Sequence, residues 1–529
     1  MKKDFLLIVS IYLLACLGIM PYVKWYVDNP DSLQYINIAH HILDGRLSLA
    51  INGYWSPLIS WLLAPFMLFF DDGIVAFKYL QMAIGIFVIR KWLLFLLFVD
   101  VEEKWKRISG FVIIPFIVSY SLLNLTPDLL FVGILFALII EFIKWLEKQT
   151  DGSSLGKLGA LLYLTKSFGL PLFIFLFCFV IWMKDERIPK ITLKKILLPF
   201  GTVAGLWIIL LSIKYGKITV SESAKFNFTY EVAPTVGKQV QLPVLGNGLL
   251  KPANDFAISA WEEPASQIAL TPLDPFHDFS FYISVVNRNL QSIYFHDFRN
   301  QLGWVFVFFL IVYLIRKKSH EVIPLWIKIS LLVICTMYFG YSLILVHERY
   351  IWICTLHFIP MIFFFIDKIF ASFLSTRISE IKKIQATKRI SEIKLIILIP
   401  VLTLCIKRPA KEVLMCGDRD VNTLQLYHAF RSPIETMSIF YRPDLKLHDD
   451  IEKLKRIIPH NSNIASIKNV DPERDGYAST LLIAYECKSK YFGQTFEADS
   501  TFKGYLVSWK EEAGEKVFDS DGGVKLYLR

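Results

Sequence analysis

The chain has 529 residues, of which 54% are hydrophobic and 15% aromatic, and its mean hydropathy is +0.46. This composition excludes an ordinary soluble globular protein and predicts a multi-pass membrane protein with room for one soluble domain. The formal net charge of +10 does not indicate a nucleic-acid partner, because the basic residues cluster in short segments between apolar runs. That pattern is typical of membrane proteins, where it sets the orientation of the spans.

The apolar runs predict a mainly α-helical bundle that crosses the membrane about eleven times. The first run, Phe5–Val23, follows Lys2-Lys3 without a good signal-peptide cleavage site, which indicates an uncleaved span. Pro57–Phe70 is too short to cross about 30 Å of hydrocarbon and is predicted to lie in the interface or to re-enter. The predicted spans are 5–23, 73–99, 108–123, 127–145, 157–165, 169–183, 194–213, 302–315, 323–346, 350–370 and 393–406.

The basic clusters predict the orientation of the bundle. Clusters such as Lys104–Arg107 and Arg316–Lys318 fall on one side of the membrane only if Pro57–Phe70 does not cross. By the positive-inside rule that side is cytoplasmic. The N-terminus is then cytoplasmic, the C-terminus is extracytoplasmic, and the large loops 24–56 and 214–301 lie on the outer face.

The C-terminal part of the chain loses the long apolar runs. We therefore predict a membrane domain over residues 1–406 and a small extracytoplasmic α/β domain over residues 407–529. The patterns favour a helix at Asp449–Ile458, a strand at Asn463–Ile467, and a hairpin of Tyr505–Trp509 with Val517–Leu528 that turns at Gly522-Gly523.

Two cysteines, Cys416 and Cys487, lie in this polar region, whereas the other five lie in or beside apolar runs. An extracytoplasmic location permits a disulfide between them. Two residues give no spacing signature, so a disulfide and two free thiols both stay open.

The first external loop carries a carboxylate at the start of a predicted helix. Asn29 precedes Pro30 and is disfavoured in a helix, so Asp31 reads as an N-cap with Gln34 at the capping-box position. Apolar residues then recur at helical spacing until Gly45, which predicts a short amphipathic helix at the membrane surface. A capping carboxylate can still face a substrate, so Asp31 is a candidate both for a cap and for a general base.

Two further ionisable residues lie at the ends of spans on the predicted outer face. Asp128 follows Thr126-Pro127 and opens a span, where a favourable charge in the first helical turn is the structural alternative to a functional role. Lys166 interrupts the apolar run LGALLYLTKSFGLPLF. It fits either a snorkelling lysine or an anion ligand at a broken helix.

The segment His347-Glu348-Arg349-Tyr350 lies between two late spans. A structural ion pair between Glu348 and Arg349 is one interpretation, because ionisable groups at membrane depth are usually paired. The other is a phosphate site, since a guanidinium matches phosphate oxygens with two parallel donors. A carboxylate and cations on one membrane face suit group transfer from a lipid phosphate to a hydroxyl.

Several segments resemble the GT-C superfamily of integral-membrane glycosyltransferases, in particular bacterial enzymes of the protein O-mannosyltransferase and lipid A aminoarabinose transferase type. The segment PDSLQYINIAHHILDGR…INGYWSPLISWLLAPF resembles their first external loop, and TPDLLF, YLTKSFGLPLF and HERYIWICTLHFIP resemble later segments. The resemblance covers the layout of residues 1–370. It implies transfer of a sugar from a polyprenyl-phosphate-linked donor to an acceptor hydroxyl on the outer face of a bacterial plasma membrane, by a single inverting displacement.

The resemblance also implies roles for individual residues. Many relatives carry two adjacent acidic residues where this chain has Asp31-Ser32, so dependence on a divalent metal such as Mg or Mn stays open. The implied partners are the lipid-linked donor, a glycan, lipid or protein acceptor, and membrane lipids, without nucleic acid. The implied set is Asp31 as base with Asp128 as a second carboxylate; Lys166, His347, Arg349 and Tyr350 at the donor phosphate; and Asp28, Tyr54 and Glu348 in support.

Two other classes of protein remain as alternatives. A transporter or flippase of a lipid-linked saccharide predicts charges deep within spans and paired inverted halves. A non-catalytic scaffold that displays the C-terminal domain needs neither the loop carboxylates nor the His347–Tyr350 segment.

Overall fold

A computed structural model describes most of the chain as a helical body followed by a mixed sheet. The described residues are 2–25, 27, 29–183, 190–231, 248–267, 274–276, 279–299, 303–316, 322–375, 443–467, 476–495, 502–510, 512, 514–520 and 524–529. Four predicted features lie outside these residues: the span 393–406, Asp28, Cys416 and the turn Gly522-Gly523.

Helices dominate the chain up to residue 375. The first seven are α1 (Lys2–Val23), α2 (Asp31–Leu43), α3 (Leu47–Ala50), α4 (Leu58–Met67), α5 (Gly73–Leu96), α6 (Glu103–Leu122) and α7 (Asp128–Leu146). The next eight are α8 (Ser153–Thr165), α9 (Gly169–Trp182), α10 (Lys190–Tyr215), α11 (Ser223–Glu231), α12 (Phe279–Ile293), α13 (Gly303–Arg316), α14 (Leu325–Ser342) and α15 (Glu348–Ser375). Two more, α16 (Pro443–Leu454) and α17 (Gly476–Glu486), belong to the C-terminal part.

Among the described residues, six helices are long and apolar enough to cross a membrane, or seven if the bent pair α12–α13 forms one span. The six lie within α1, α5, α7, α10, α14 and α15. The predicted multi-pass helical body is therefore confirmed. The count of about eleven crossings stays a prediction, because α6 is not among these helices, α8 and α9 have only 13 and 14 residues, and the span 393–406 lies outside the described residues.

The short apolar run after the first loop forms α4, which has only 10 residues. Its inner face buries Ile59 and Leu63, while Trp61 and Phe69 are exposed. Helix α4 packs against α2 and α5. This short, half-buried helix agrees with a segment that does not cross the membrane.

The orientation can be tested at the end of this helix. In a protein without native cysteines, Asp71→Cys should react with an impermeant thiol reagent added from outside, and Arg316→Cys should not. Asp71 is preferable to Asp72, because the carboxylate of Asp72 accepts from the backbone N–H of Ile74 at 2.7 Å and caps α5. Labelling of Asp71→Cys only after permeabilisation contradicts the predicted topology.

Two buried polar side chains of α5 hold the turn between α6 and α7. The ammonium group of Lys78 donates to the carbonyl of Leu122, and the amide of Gln81 donates to the carbonyl of Thr126 at 2.6 Å. Both side chains are fully buried. Because a buried carbonyl without a partner costs about 1–3 kcal/mol, these contacts fix the turn and thereby the start of α7 at Asp128.

The C-terminal part contains a six-stranded mixed sheet. Its strands are β1 (Gly248–Leu249), β2 (Asn463–Ile467), β3 (Lys490–Thr495), β4 (Tyr505–Ser508), β5 (Glu515–Asp519) and β6 (Lys525–Leu528), in the order β1-β3-β2-β4-β6-β5. Strand β2 is parallel to β3 and β4, and the other pairs are antiparallel. Helix α17 connects β2 to β3.

The sheet confirms the predicted α/β character, with differences in detail. The predicted strand Asn463–Ile467 is confirmed, and the predicted helix overlaps α16. The predicted hairpin contains two separate strands in its second half, so β6 lies between β4 and the edge strand β5. Strand β1 comes from the distant loop between α11 and α12 and was not predicted. Cys487 is buried. The domain boundary after residue 406 stays a prediction, and a Cys416–Cys487 disulfide is not tested because Cys416 lies outside the described residues.

Candidate active site

Helix α2 brings the Asp31 carboxylate into the protein body. The helix begins at Asp31, Pro30 occupies the N-cap position, and no described side chain caps the helix. The predicted capping role of Asp31 is therefore wrong. The preceding turn is fixed instead by Asn29, whose side-chain oxygen accepts from the backbone N–H of Asp31 at 2.9 Å. At the other end Gly45 adopts a φ of +72°, which confirms the predicted helix stop.

Both oxygens of Asp31 accept hydrogen bonds from distant parts of the chain. Nη2 of Arg349 donates to Oδ2 at 2.7 Å, and Nε1 of Trp261 donates to Oδ1 at 3.1 Å. The side chains of Arg349 and Asp31 are 18% and 13% exposed. The ion pair is thus largely shielded from water, where charge–charge interactions are stronger than at an open surface.

A second carboxylate–cation pair joins Asp128 to Lys166. The ammonium group of Lys166 donates to Oδ1 of Asp128 at 2.6 Å, and the hydroxyl of Thr126 donates to Oδ2 at 2.6 Å. Asp128 is only 3% exposed. Its carboxylate therefore has one charged and one neutral donor, which offsets the cost of burying it.

The break between α8 and α9 holds Lys166 in position. Lys166 is extended, with φ −148° and ψ 135°, and its carbonyl accepts from the N–H of Gly169 at 2.8 Å. A Cβ atom at Gly169 would lie 2.3 Å from the carbonyl oxygen of Leu162. Only glycine allows α9 to approach the end of α8 this closely, so the break that carries Lys166 depends on it.

The two pairs meet at the ring of Tyr350. The ammonium nitrogen of Lys166 lies 3.8 Å from the ring centroid, and the guanidinium carbon of Arg349 lies 5.3 Å from it. The ring of Tyr341 stacks on Tyr350 with centroids 4.8 Å apart. Because an aromatic face attracts cations, Tyr350 keeps both cations together despite their mutual repulsion.

The other residues of the late segment have different surroundings. Nδ1 of His296 lies 3.7 Å from the Glu348 carboxylate, whereas Arg349 pairs with Asp31. The ring of His347 meets Tyr350 edge-on with centroids 5.1 Å apart. Burial of the imidazole, followed by the charge of Arg349, lowers the pKa of His347 to about 4. Although the residue as a whole is exposed, an imidazole with this pKa is neutral near pH 7 and offers a hydrogen bond rather than a charge.

Aromatic rings surround the Asp31 side of the site. The ring of Tyr54 lies 5.6 Å from Trp261 and 5.1 Å from Phe226, measured between centroids. The hydroxyl of Tyr54 donates to Oδ1 of Asn227 at 3.4 Å. Burial raises the pKa of Tyr54 well above its usual value, so the phenol stays protonated. Asp28, the other supporting residue predicted in this loop, lies outside the described residues.

Sequence reasoning missed Trp261. It lies in the long loop after α10, in a short 3-10 turn Ala260–Glu262 without hydrophobic periodicity. The signal available in the sequence was a tryptophan followed by two glutamates in a polar loop.

The donor set does not fit a divalent cation. The described residues contain no group of three or more His, Cys, Asp or Glu side chains that could hold a metal ion. The oxygens of Asp31 and Asp128 accept from Arg349, Trp261, Lys166 and Thr126, and the two cations would repel a metal.

Comparison with known proteins bears on the fold. No family model and no curated protein sequence matches the chain. The crystal structure of ArnT from Cupriavidus metallidurans bound to undecaprenyl phosphate matches it with a TM-score of 0.51 and 9% identity, over 98% of this chain and 97% of that chain. This chain thus has the fold of that ArnT structure, which confirms the predicted resemblance at the level of the fold.

Proposed function

We propose that the chain transfers a sugar from a polyprenyl-phosphate-linked donor to an acceptor hydroxyl on the outer face of a bacterial plasma membrane. The observation that carries this proposal is the meeting of two carboxylate–cation pairs at Tyr350, where apolar helices end. The fold supports it, because the ArnT structure of similar fold holds undecaprenyl phosphate. The N-terminus is then cytoplasmic and the C-terminus extracytoplasmic.

In the proposed reaction Asp31 is the base. The acceptor oxygen attacks the anomeric carbon of the sugar while its proton passes to the Asp31 carboxylate. The bond between that carbon and the phosphate oxygen breaks, and its electron pair stays on the departing polyprenyl phosphate. A single displacement of this kind inverts the configuration of the sugar carbon.

Arg349 and Lys166 neutralise the charge on the departing phosphate in this proposal, with hydrogen bonds from His347 and Tyr350. Arg349 pairs with Asp31 in the structure, and it pairs with the phosphate in the proposed donor complex. When its guanidinium turns to the phosphate, Asp31 is released to face the acceptor. Asp128 keeps Lys166 at the site, and Glu348 supports the start of α15.

The test uses a product that is common to all sugar donors. Purified protein in vesicles made from native envelope lipids should release free polyprenyl phosphate, measured by mass spectrometry, as lipid-linked sugar is consumed. A flippase instead moves the intact lipid-linked sugar across the bilayer without release. Transbilayer movement without release of polyprenyl phosphate therefore contradicts the proposal, and a scaffold shows neither.

A further inference from the structure

We infer that Trp261 is a positioning residue for Asp31, carried by a loop that both helix α2 and the C-terminal sheet hold in place. This inference rests on the proposed function of Asp31 as the base. It gives the external loop and the C-terminal sheet a role in the reaction.

The contact between the two side chains is specific. Tryptophan has a single donor, and Nε1 of Trp261 uses it on Oδ1 of Asp31 at 3.1 Å. Arg349 holds the other oxygen. When Arg349 turns to the donor phosphate, the neutral indole N–H keeps the carboxylate oriented without neutralising its charge.

Buried Glu262 locks this turn onto the helix that bears the base. Its Oε1 accepts from Nε2 of His41 and from Nδ2 of Asn254, both at 3.0 Å, and its Oε2 accepts from Asn37. Its backbone carbonyl accepts from Asn52 at 2.7 Å. Glu262 is 1% exposed, and a buried carboxylate is tolerated only with such partners. Because Asn37 and His41 lie on α2 together with Asp31, their bonds to Glu262 fix the position of Glu262 relative to Asp31.

The C-terminal sheet holds the same loop from the other side. Strand β1 pairs antiparallel with β3, and the N–H of Leu250 donates to the carbonyl of Phe492 at 2.6 Å. The N–H of Tyr491 donates to the carbonyl of Ile258 at 2.7 Å, only three residues before Trp261. These backbone bonds transmit the position of the sheet to the turn that carries Trp261.

Titratable side chains from several other parts of the chain interact electrostatically with this site. They are Arg349, Tyr350 and His347 around the start of α15, Lys166 after α8, Asp128 on α7, and Tyr35 and Tyr54 from the first loop. Of the two hydrogen-bond donors to Asp31, Arg349 is charged and the indole N–H of Trp261 is neutral.

A matched pair of variants tests the inference. Trp261→Phe and Trp92→Phe each remove one indole N–H and keep a ring, but Nε1 of Trp92 donates to the backbone carbonyl of Ser109 at 3.0 Å and not to a carboxylate. Loss of a hydrogen bond to a charged group should lower kcat for polyprenyl phosphate release about 10- to 100-fold in Trp261→Phe. KM for the donor and the melting temperature should stay near wild type in Trp261→Phe, and Trp92→Phe should change kcat little. Equal loss in both variants overturns the inference.

A second measurement needs no substrate. In 15N-tryptophan-labelled protein, the indole resonance of Trp261 is the one missing from Trp261→Phe. The Trp261 resonance should move in Asp31→Ala and stay in place in Asp44→Ala, a control at the residue that follows the same helix. An unmoved resonance in Asp31→Ala overturns the inference even if transfer occurs. A moved resonance without any polyprenyl phosphate release supports the contact and refutes the proposed function.

Discussion

Replacing Asp31 by asparagine is expected to lower sugar transfer at least about a hundredfold, the low end for general-base catalysis, while the protein still inserts and accumulates. The amide oxygen can still accept from the indole of Trp261, so orientation is retained and the loss comes from the missing proton acceptor. Release of polyprenyl phosphate by purified protein measures the effect. Near-normal turnover would remove Asp31 from the mechanism.

Asp31→Asn should not lose affinity for undecaprenyl phosphate, although it loses transfer activity. Asparagine no longer neutralises Arg349, so its guanidinium is free for an anion, and undecaprenyl phosphate should bind as tightly as to wild type or more tightly. Asp44→Asn is the matched control, because Asp44 follows the last residue of α2 and its exposed carboxylate pairs with Arg46. The control should change neither transfer nor binding. Asp28→Asn should be much milder than Asp31→Asn.

Replacing Arg349 is expected to weaken binding of undecaprenyl phosphate even when the charge is kept. Lysine retains the positive charge but loses the two-pronged donor geometry that suits phosphate oxygens, so affinity should fall about 10-fold or more. Arg349→Ala should nearly abolish binding, because it also leaves the Asp31 carboxylate without its counterion. Binding of undecaprenyl phosphate to purified variants measures both effects.

Melting temperatures separate this role from a structural one. Lys368→Ala is the control on the same helix, because Lys368 forms an exposed ion pair with Asp100 at 3.0 Å. This control should alter neither the binding of undecaprenyl phosphate nor the melting temperature. Arg349→Ala should lower the melting temperature somewhat, because the pair with Asp31 is largely buried. Glu348→Gln should leave binding of undecaprenyl phosphate intact. Unchanged affinity in Arg349→Ala, together with a collapsed melting temperature, would show that the pair only stabilises the fold.

The pairing of every cation at the site has a physical reason. An uncompensated charge near hydrocarbon is costly, so a ligand-free site for an anion needs carboxylates that hold its cations in place. Asp31 and Asp128 do this for Arg349 and Lys166. In the proposed donor complex, a cation of the site then exchanges a carboxylate for the phosphate, so no bare charge is left at any stage.

Features that depend on local sequence pattern were predicted correctly. Apolar runs identified the membrane helices, and strand alternation identified Asn463–Ile467. Short polar interruptions in apolar surroundings marked Asp31, Asp128, Lys166 and Arg349, because an ionisable group there needs a specific reason. The bounds of α2 were also nearly correct, since Pro30 and Gly45 act on the backbone locally.

The contacts between these groups, in contrast, depend on the tertiary fold. Arg349 contacts Asp31 across 318 residues of chain rather than its neighbour in sequence, and Trp261 reaches Asp31 across 230 residues. Strand β1 joins a sheet whose other members begin at residue 463. No periodicity encodes such contacts, because they depend on how helices and loops pack around a shared site. For the same reason the sequence suggested a capping role for Asp31, whereas packing turned its carboxylate toward an arginine and an indole.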